Sequence, residues 1–142
     1  MTLPSIQITI KKSERTINHL HGLIHSTFAK RDDSKTHYEQ WGNACAEFHE
    51  QYDSLVFSCG EHQGESGLIR LLTCSDIEDD CDEYAREFAV SFIELRPYYF
   101  RSGYLYKKLL RKLKHAPLSP QQHIRYQKVK ESYRQYKENK AL

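Results

Sequence analysis

Cations and tyrosines crowd the last third of this chain. Lys107, Lys108, Arg111, Lys112 and Lys114 occupy much of one side of a helical segment, and Arg125, Lys128, Lys130 and Arg134 follow on a second segment. Such a set neutralises phosphates, and interleaved tyrosines stack on unpaired bases. The competing reading is a solvated helix face, complemented by the acidic residues around 76–87 of the same chain or of a neighbouring copy. The sequence holds no zinc-finger spacing, no RNP-like strand and no recognition-helix pair, so no sequence-reading element is indicated.

A second cluster is the run Arg96-Pro97-Tyr98-Tyr99-Phe100-Arg101-Ser102-Gly103-Tyr104. Arg96 and Arg101 flank aromatics beside a serine-glycine turn, an arrangement able to clamp a carboxylate or phosphate. Amides at Ser102 and Gly103 would add an anion site at a helix start. The structural alternative is a corner between two helices, with Tyr98, Tyr99 and Tyr104 packed there and the arginines bonding the last carbonyls of the preceding helix.

Histidine and cysteine chemistry is thinner. His21 and His25 lie one turn apart, and His49 with Asp53 repeats that spacing on the next segment, so the four could form an interhelical metal site. The paired Glu-x-x-His motifs of a di-iron bundle are absent, and ordinary boundary histidines fit the spacing as well. Cys59-x-x-His62 has zinc-like spacing, and Cys74 and Cys81, seven residues apart, could complete a set but make no convincing second pair. Cys45 and His49 could pair as thiolate and imidazole, but both fall on or beside an expected core face, where cysteine is usually inert. No nucleophile elbow, phosphate loop or dinucleotide fingerprint occurs. No cofactor is expected, and no catalytic residue is assigned.

The elements that must position these residues follow from periodicity. The 142 residues fit one domain spanning 1–142, and 39% hydrophobic content with a mean hydropathy of −0.75 suits a lean globular chain. Six glycines and four prolines argue against a loop-rich sandwich, and no run of about 18 apolar residues exists to cross a membrane. With no secretory leader pattern, the expected address is the cytoplasm, where Cys45, Cys59, Cys74 and Cys81 act as small apolar thiols rather than as two disulfides.

The expected fold is all-α, a bundle of five or six helices. Ile6, Ile8 and Ile10 alternate with polar residues and predict an extended arm over 1–12, although Ile6 and Ile10 also share a helical face with Ile17. A first helix should run to about Lys30, and a second from Lys35 to Val56 behind an N-cap at Ser34, with Trp41 as a core anchor. Residues 58–66 read as a loop and 67–74 as a short buried helix. A capping box at Ser75–Glu78 opens a helix that Pro97 ends. The basic helix follows to about Lys114. Ser119, Pro120 and Gln122 then start a tail helix within 119–142 whose docking face, Tyr126, Val129, Tyr133 and Tyr136, is narrow. The expected core gathers Trp41, Phe48, Phe88, Phe92 and the leucines of 68–72 and 109–113.

Charge reverses along the chain. Residues 1–95 hold 8 Lys/Arg against 17 Asp/Glu, and residues 96–142 hold 13 against 2, although the whole chain carries only +2. The first functional reading is therefore a non-enzymatic interaction module that docks acid to base on a protein partner or on its own copy. The alternative is a nucleic-acid-binding accessory protein using the basic third. An enzyme built on the histidines of the first two helices is the third reading.

Overall fold

A computed structural model describes residues 3–73 and 81–141 as an all-α bundle. In chain order it has α1 (Leu3–Phe28), α2 (Lys35–Val56), a hairpin of β1 (Ser58–Cys59) and β2 (His62–Gln63), α3 (Gly64–Thr73), α4 (Asp82–Leu95), α5 (Ser102–Lys112), a 3-10 turn (Leu113–His115) and α6 (Pro120–Ala141). The Ser75–Glu78 capping box and Cys74 lie outside the described residues. No described helix is long and apolar enough to cross a membrane.

The bundle is built around α4. Ala85, Phe88, Ala89, Val90, Ser91, Phe92 and Ile93 are all buried, and α1, α3, α5 and α6 each pack against the helix. Burial on nearly every side requires small residues where neighbours approach, and Ala85, Ala89 and Ser91 supply them. Phe48, Phe57, Leu68, Leu72, Leu109 and Leu113 complete a single contiguous core.

The extended arm is not formed. α1 is continuous from Leu3, because Ile6, Ile10 and Ile17 extend one helical stripe into the core while Ile8 is left 64% exposed. A strand would have placed Ile6, Ile8 and Ile10 on one face, and the described residues offer it no partner strand. The periodicity of three and four outweighs the local alternation.

Trp41 is not a core anchor. It sits half-buried near the open tip of the α1–α2 pair, edge-on to Phe28 at 6.0 Å and Tyr38 at 5.7 Å, with the Arg31 guanidinium 5.9 Å from its ring. Its buried indole nitrogen has no hydrogen-bond partner. The reason is positional: Trp41 lies two turns before Phe48 and meets the last residue of α1, Phe28, outside the core cluster.

The loop after α2 contains structure that its polar composition hides. Ser58 pairs with Gln63 and Cys59 with His62 across a two-residue turn that opens on Gly60 at φ +58°. Gly64 then starts α3 three residues earlier than expected, at φ +74°. Its amide donates to the Phe57 carbonyl at 2.8 Å, and a Cβ there would meet the Asp53 side chain at 3.1 Å.

This hairpin also overturns the expectation of apolar thiols. Cys59 and Cys81 form a disulfide across a sequence separation of 22, their Cα atoms 5.9 Å apart, within the span such a bond requires. It staples the hairpin to the start of α4, so neither sulfur is a zinc ligand. Cys45 is a free, half-buried thiol.

Two caps behave as the sequence predicts. Ser34 accepts from the His37 amide at 3.1 Å and opens α2. Ser119 and Gln122 exchange bonds, Gln122 amide to Ser119 Oγ at 3.1 Å and Ser119 amide to Gln122 Oε1 at 3.0 Å, and open α6.

Candidate anion-binding groove

The corner between α4 and α5 sets the direction of the basic helix. Arg96 leaves α4 in left-handed geometry (φ 47°) as its amide bonds the Phe92 carbonyl, and Pro97 is buried behind it. Ser102 then closes a reciprocal turn: its amide donates to the Tyr99 carbonyl, and its hydroxyl accepts from the Tyr99 amide, both at 2.9 Å. Helices α1 and α2 hold this loop from outside. Glu14 accepts the Tyr98 amide at 2.6 Å, the Asn18 amide donates to the Tyr98 carbonyl at 2.9 Å, and the Tyr52 hydroxyl donates to the Phe100 carbonyl at 2.8 Å.

These bonds make the run 96–104 a structural corner. Tyr99 is buried, which pushes its phenol pKa well up, the charges of Tyr52, Glu14 and Glu65 adding to the shift. Tyr98 points outward at 85% exposure. The two arginines do not bond the last carbonyls of α4 with their side chains. Arg96 lies over Tyr106 at 4.7 Å and Tyr136 at 5.4 Å, and Arg101 lies 5.6 Å from the Tyr104 ring. Both arginines also line one cavity of about 750 Å³ at this corner, together with Tyr98, Ser102 and Gly103.

The basic third divides into cations that are used internally and cations that are not. Arg125 is the most engaged. Its Nη1 bonds both oxygens of Glu87, at 3.0 and 2.9 Å, its Nε bonds Glu94 at 3.1 Å, and its Nη2 reaches Glu94 at 2.5 Å and Ser91 Oγ at 3.3 Å. Hydrogen bonds that it donates to Glu94, and then to Glu87, hold this guanidinium firmly protonated against the cost of burial. Gln122 adds a bond to Glu87 at 3.1 Å, and the Tyr126 hydroxyl donates to the Leu110 carbonyl at 2.7 Å. These polar contacts dock the first half of α6 on α4 and, through Tyr126, on α5. They take Arg125 out of any anion site.

Lys108 is similarly occupied by Glu65 of α3 at 2.6 Å, and Arg134 by Glu131 and Glu138 of its own helix. Both cations, with Glu65, Glu131 and Glu138, line a groove of about 1090 Å³ between α5 and α6 that five further cations share. Among the described residues no carboxylate pairs with its cations Arg101, Lys107 and Arg111 on the α5 wall or Lys130 and Lys137 on the α6 wall. Leu110 and Tyr133 lie between the walls, and Tyr104 stands at one end, 71% exposed. Lys112, Lys114 and Lys128 are exposed but do not line the groove.

The α6 wall was the less visible one. Gln127, Lys130, Glu131, Arg134, Lys137 and Glu138 recur at helical spacing, a polar stripe that an apolar-period search passes over. Glu65 was missed because its pairing with Lys108 joins residues far apart in sequence.

The histidines form no metal centre. The His21 ring packs edge-on to His25 at 4.6 Å and also against Phe48 and Phe100. Burial, then the charge of His25, lowers its pKa, which favours the neutral ring. His49 is exposed beside Phe48, and Asp53 stands at Gly64. Among the described residues no group of three or more His, Cys, Asp or Glu side chains is placed to hold a metal ion.

The chain shows no significant match to a protein-family model, to a curated protein or to a solved structure.

Proposed function

We propose that this chain is a non-enzymatic nucleic-acid-binding accessory protein, and that the α5–α6 groove receives the phosphate backbone. The observation that carries this reading is the sorting of cations. Those of α4–α6 that meet acidic residues of the same chain are spent on the fold, as Arg125 and Lys108 are, while five others, with no carboxylate partner among the described residues, converge on one concavity. Convergent unpaired cations with tyrosines between them match the charge and ring faces of a polynucleotide.

The same sorting weakens acid-to-base docking between copies, since part of the acidic complement is already engaged within the chain. A second reading, a protein-interaction or self-associating module, draws on the tip of α1–α2, where Phe28 and Tyr38 are exposed beside Trp41 and Arg31. Trp, Tyr and Arg are the residues that most often anchor protein interfaces. Light-scattering mass at low and high salt separates this reading from the first.

The nucleic-acid reading is tested by fluorescence anisotropy with a labelled oligonucleotide, with poly-glutamate as competitor. Lys107→Ala with Arg111→Ala should weaken binding strongly and equally across base sequences, and poly-glutamate should compete poorly. Displacement by poly-glutamate at equal charge would reassign the groove to acidic proteins.

A further inference from the structure

We infer that the groove is built for single-stranded nucleic acid rather than for a duplex, an inference that rests on the function proposed above. Three features of the two walls carry it.

The first is where the cations lie on α6. The exposed stripe away from the groove, Gln121, Ile124, Lys128, Ser132, Gln135 and Asn139, holds one cation, and its Lys128 and Ser132 border a pocket against α4. The side facing α5 holds Lys130, Arg134 and Lys137. A helix that enters the major groove of a duplex needs its phosphate contacts and base-reading side chains on the convex crest. Here the cations lie along the flank that borders the α5 groove, Lys130 half-buried and Arg134 58% exposed. A single strand can follow a cationic channel of this kind with its backbone between the walls.

The second is the aromatic placement. Tyr104 stands at one end of the groove, its ring open to solvent on most of its surface and backed by the Arg101 guanidinium at 5.6 Å. Tyr133 lies within the groove, beside Tyr106 at 5.6 Å and under the Lys137 ammonium at 5.5 Å. An exposed ring with a cation beside it offers a stacking platform that only an unpaired base can use, because bases in a duplex already stack on one another.

The third is the acidic pair inside the groove. Glu131 and Glu138 are held by Arg134, with Glu131 also accepting from Gln135 at 3.4 Å, and both line the wall. Carboxylates in the path of densely spaced phosphates are unfavourable, whereas beside unpaired bases they accept from exocyclic amino groups. Lys107 and Arg111, one turn apart on α5, are about 6 Å apart along the axis. That spacing lets consecutive phosphates of one strand meet successive cations.

The test uses the full chain with three fluorescein-labelled probes of about 12 nucleotides, oligothymidylate, oligouridylate and a DNA duplex of matching length. Both single strands should bind at least tenfold tighter than the duplex. Tyr104→Ala should weaken single-strand binding about tenfold, and Tyr104→Phe, which keeps the ring, should restore it. Tyr104 is on the surface, so neither variant removes a core contact. Equal or tighter binding of the duplex, or indifference to Tyr104→Ala, overturns the single-strand inference and leaves nucleic-acid binding standing. Failure of all three probes to bind overturns the function proposed above as well.

Discussion

Replacing Arg125 by methionine should loosen α6 from α4 and cost about 3 kcal/mol. The estimate comes from the surroundings of the guanidinium. The side chains of Arg125, Glu87 and Glu94 are 19%, 17% and 30% exposed, so Arg125 and Glu87 are held mostly out of water while Glu94 lies at the rim. Removing one partner of a buried ion pair costs roughly 3–5 kcal/mol because the other charge is stranded, and residual exposure places this site at the lower end. Here two carboxylates two turns apart on α4 would be stranded together. Urea unfolding followed by circular dichroism reads the loss directly. For a chain of this size it corresponds to a melting temperature lowered by about 6–12 °C. Adding Glu87→Gln and Glu94→Gln to Arg125→Met should recover most of it, since neutral amides do not need a cation. Hydrogen exchange should place the loss in α6, with α4 still protected. A loss under about 0.5 kcal/mol, the range of ordinary surface substitutions, would refute the clamp. So would a triple variant no more stable than the single one.

Two further outcomes follow from the fold. Removing the Cys59–Cys81 bond with paired serines frees a 22-residue separation and should cost about 3 kcal/mol of unfolding free energy; an unchanged urea midpoint would mean that the hairpin is held to α4 without it. Burial raises the Tyr99 phenol above its ordinary value of 10.0, so the folded state keeps that proton when the unfolded chain has lost it. Stability is therefore unaffected below about pH 10 and falls as pH rises above it, and Tyr99→Phe should flatten that alkaline limb in unfolding curves measured against pH. An identical alkaline limb in the variant would reject this assignment.

Much of the fold could be read from spacing because most of it is set by apolar stripes. α2 begins and ends where its periodicity and Ser34 place it, and the all-α class follows from the succession of such stripes. The N-terminal arm shows where this reading goes astray. Three isoleucines at alternate positions satisfy a strand locally, and only packing against the rest of the bundle reveals that Ile6 and Ile10 belong with Ile17. Trp41 misleads in the opposite sense, since its size suggests burial but its place on α2 meets the end of α1, outside the core cluster. The disulfide was hidden because the sequence does not say which chain segments the hairpin brings together.

The groove was half visible. Its α5 wall follows from the run Lys107 to Arg111, but the division between engaged and unengaged cations depends on tertiary partners. Arg125 and Lys107 look alike in sequence, and only the approach of Glu87 and Glu94 makes one structural and leaves the other unpaired. Docking of α6 was underestimated for the same reason: its contact with α4 rests on a charged network as much as on Tyr126 and Val129.

The central claim is that unpaired cations on α5 and α6 meet phosphates, and the salt dependence of binding tests it most directly. Anisotropy titrations of labelled oligothymidylate across a series of salt concentrations give the slope of log Kobs against log salt. The five groove cations without a carboxylate partner among the described residues, Arg101, Lys107, Arg111, Lys130 and Lys137, predict a slope of about −3.5 for a single strand. Lys107→Ala with Arg111→Ala should bring it to about −2. Undetectable binding at low salt, or a slope near zero that the double variant leaves unchanged, would contradict the account.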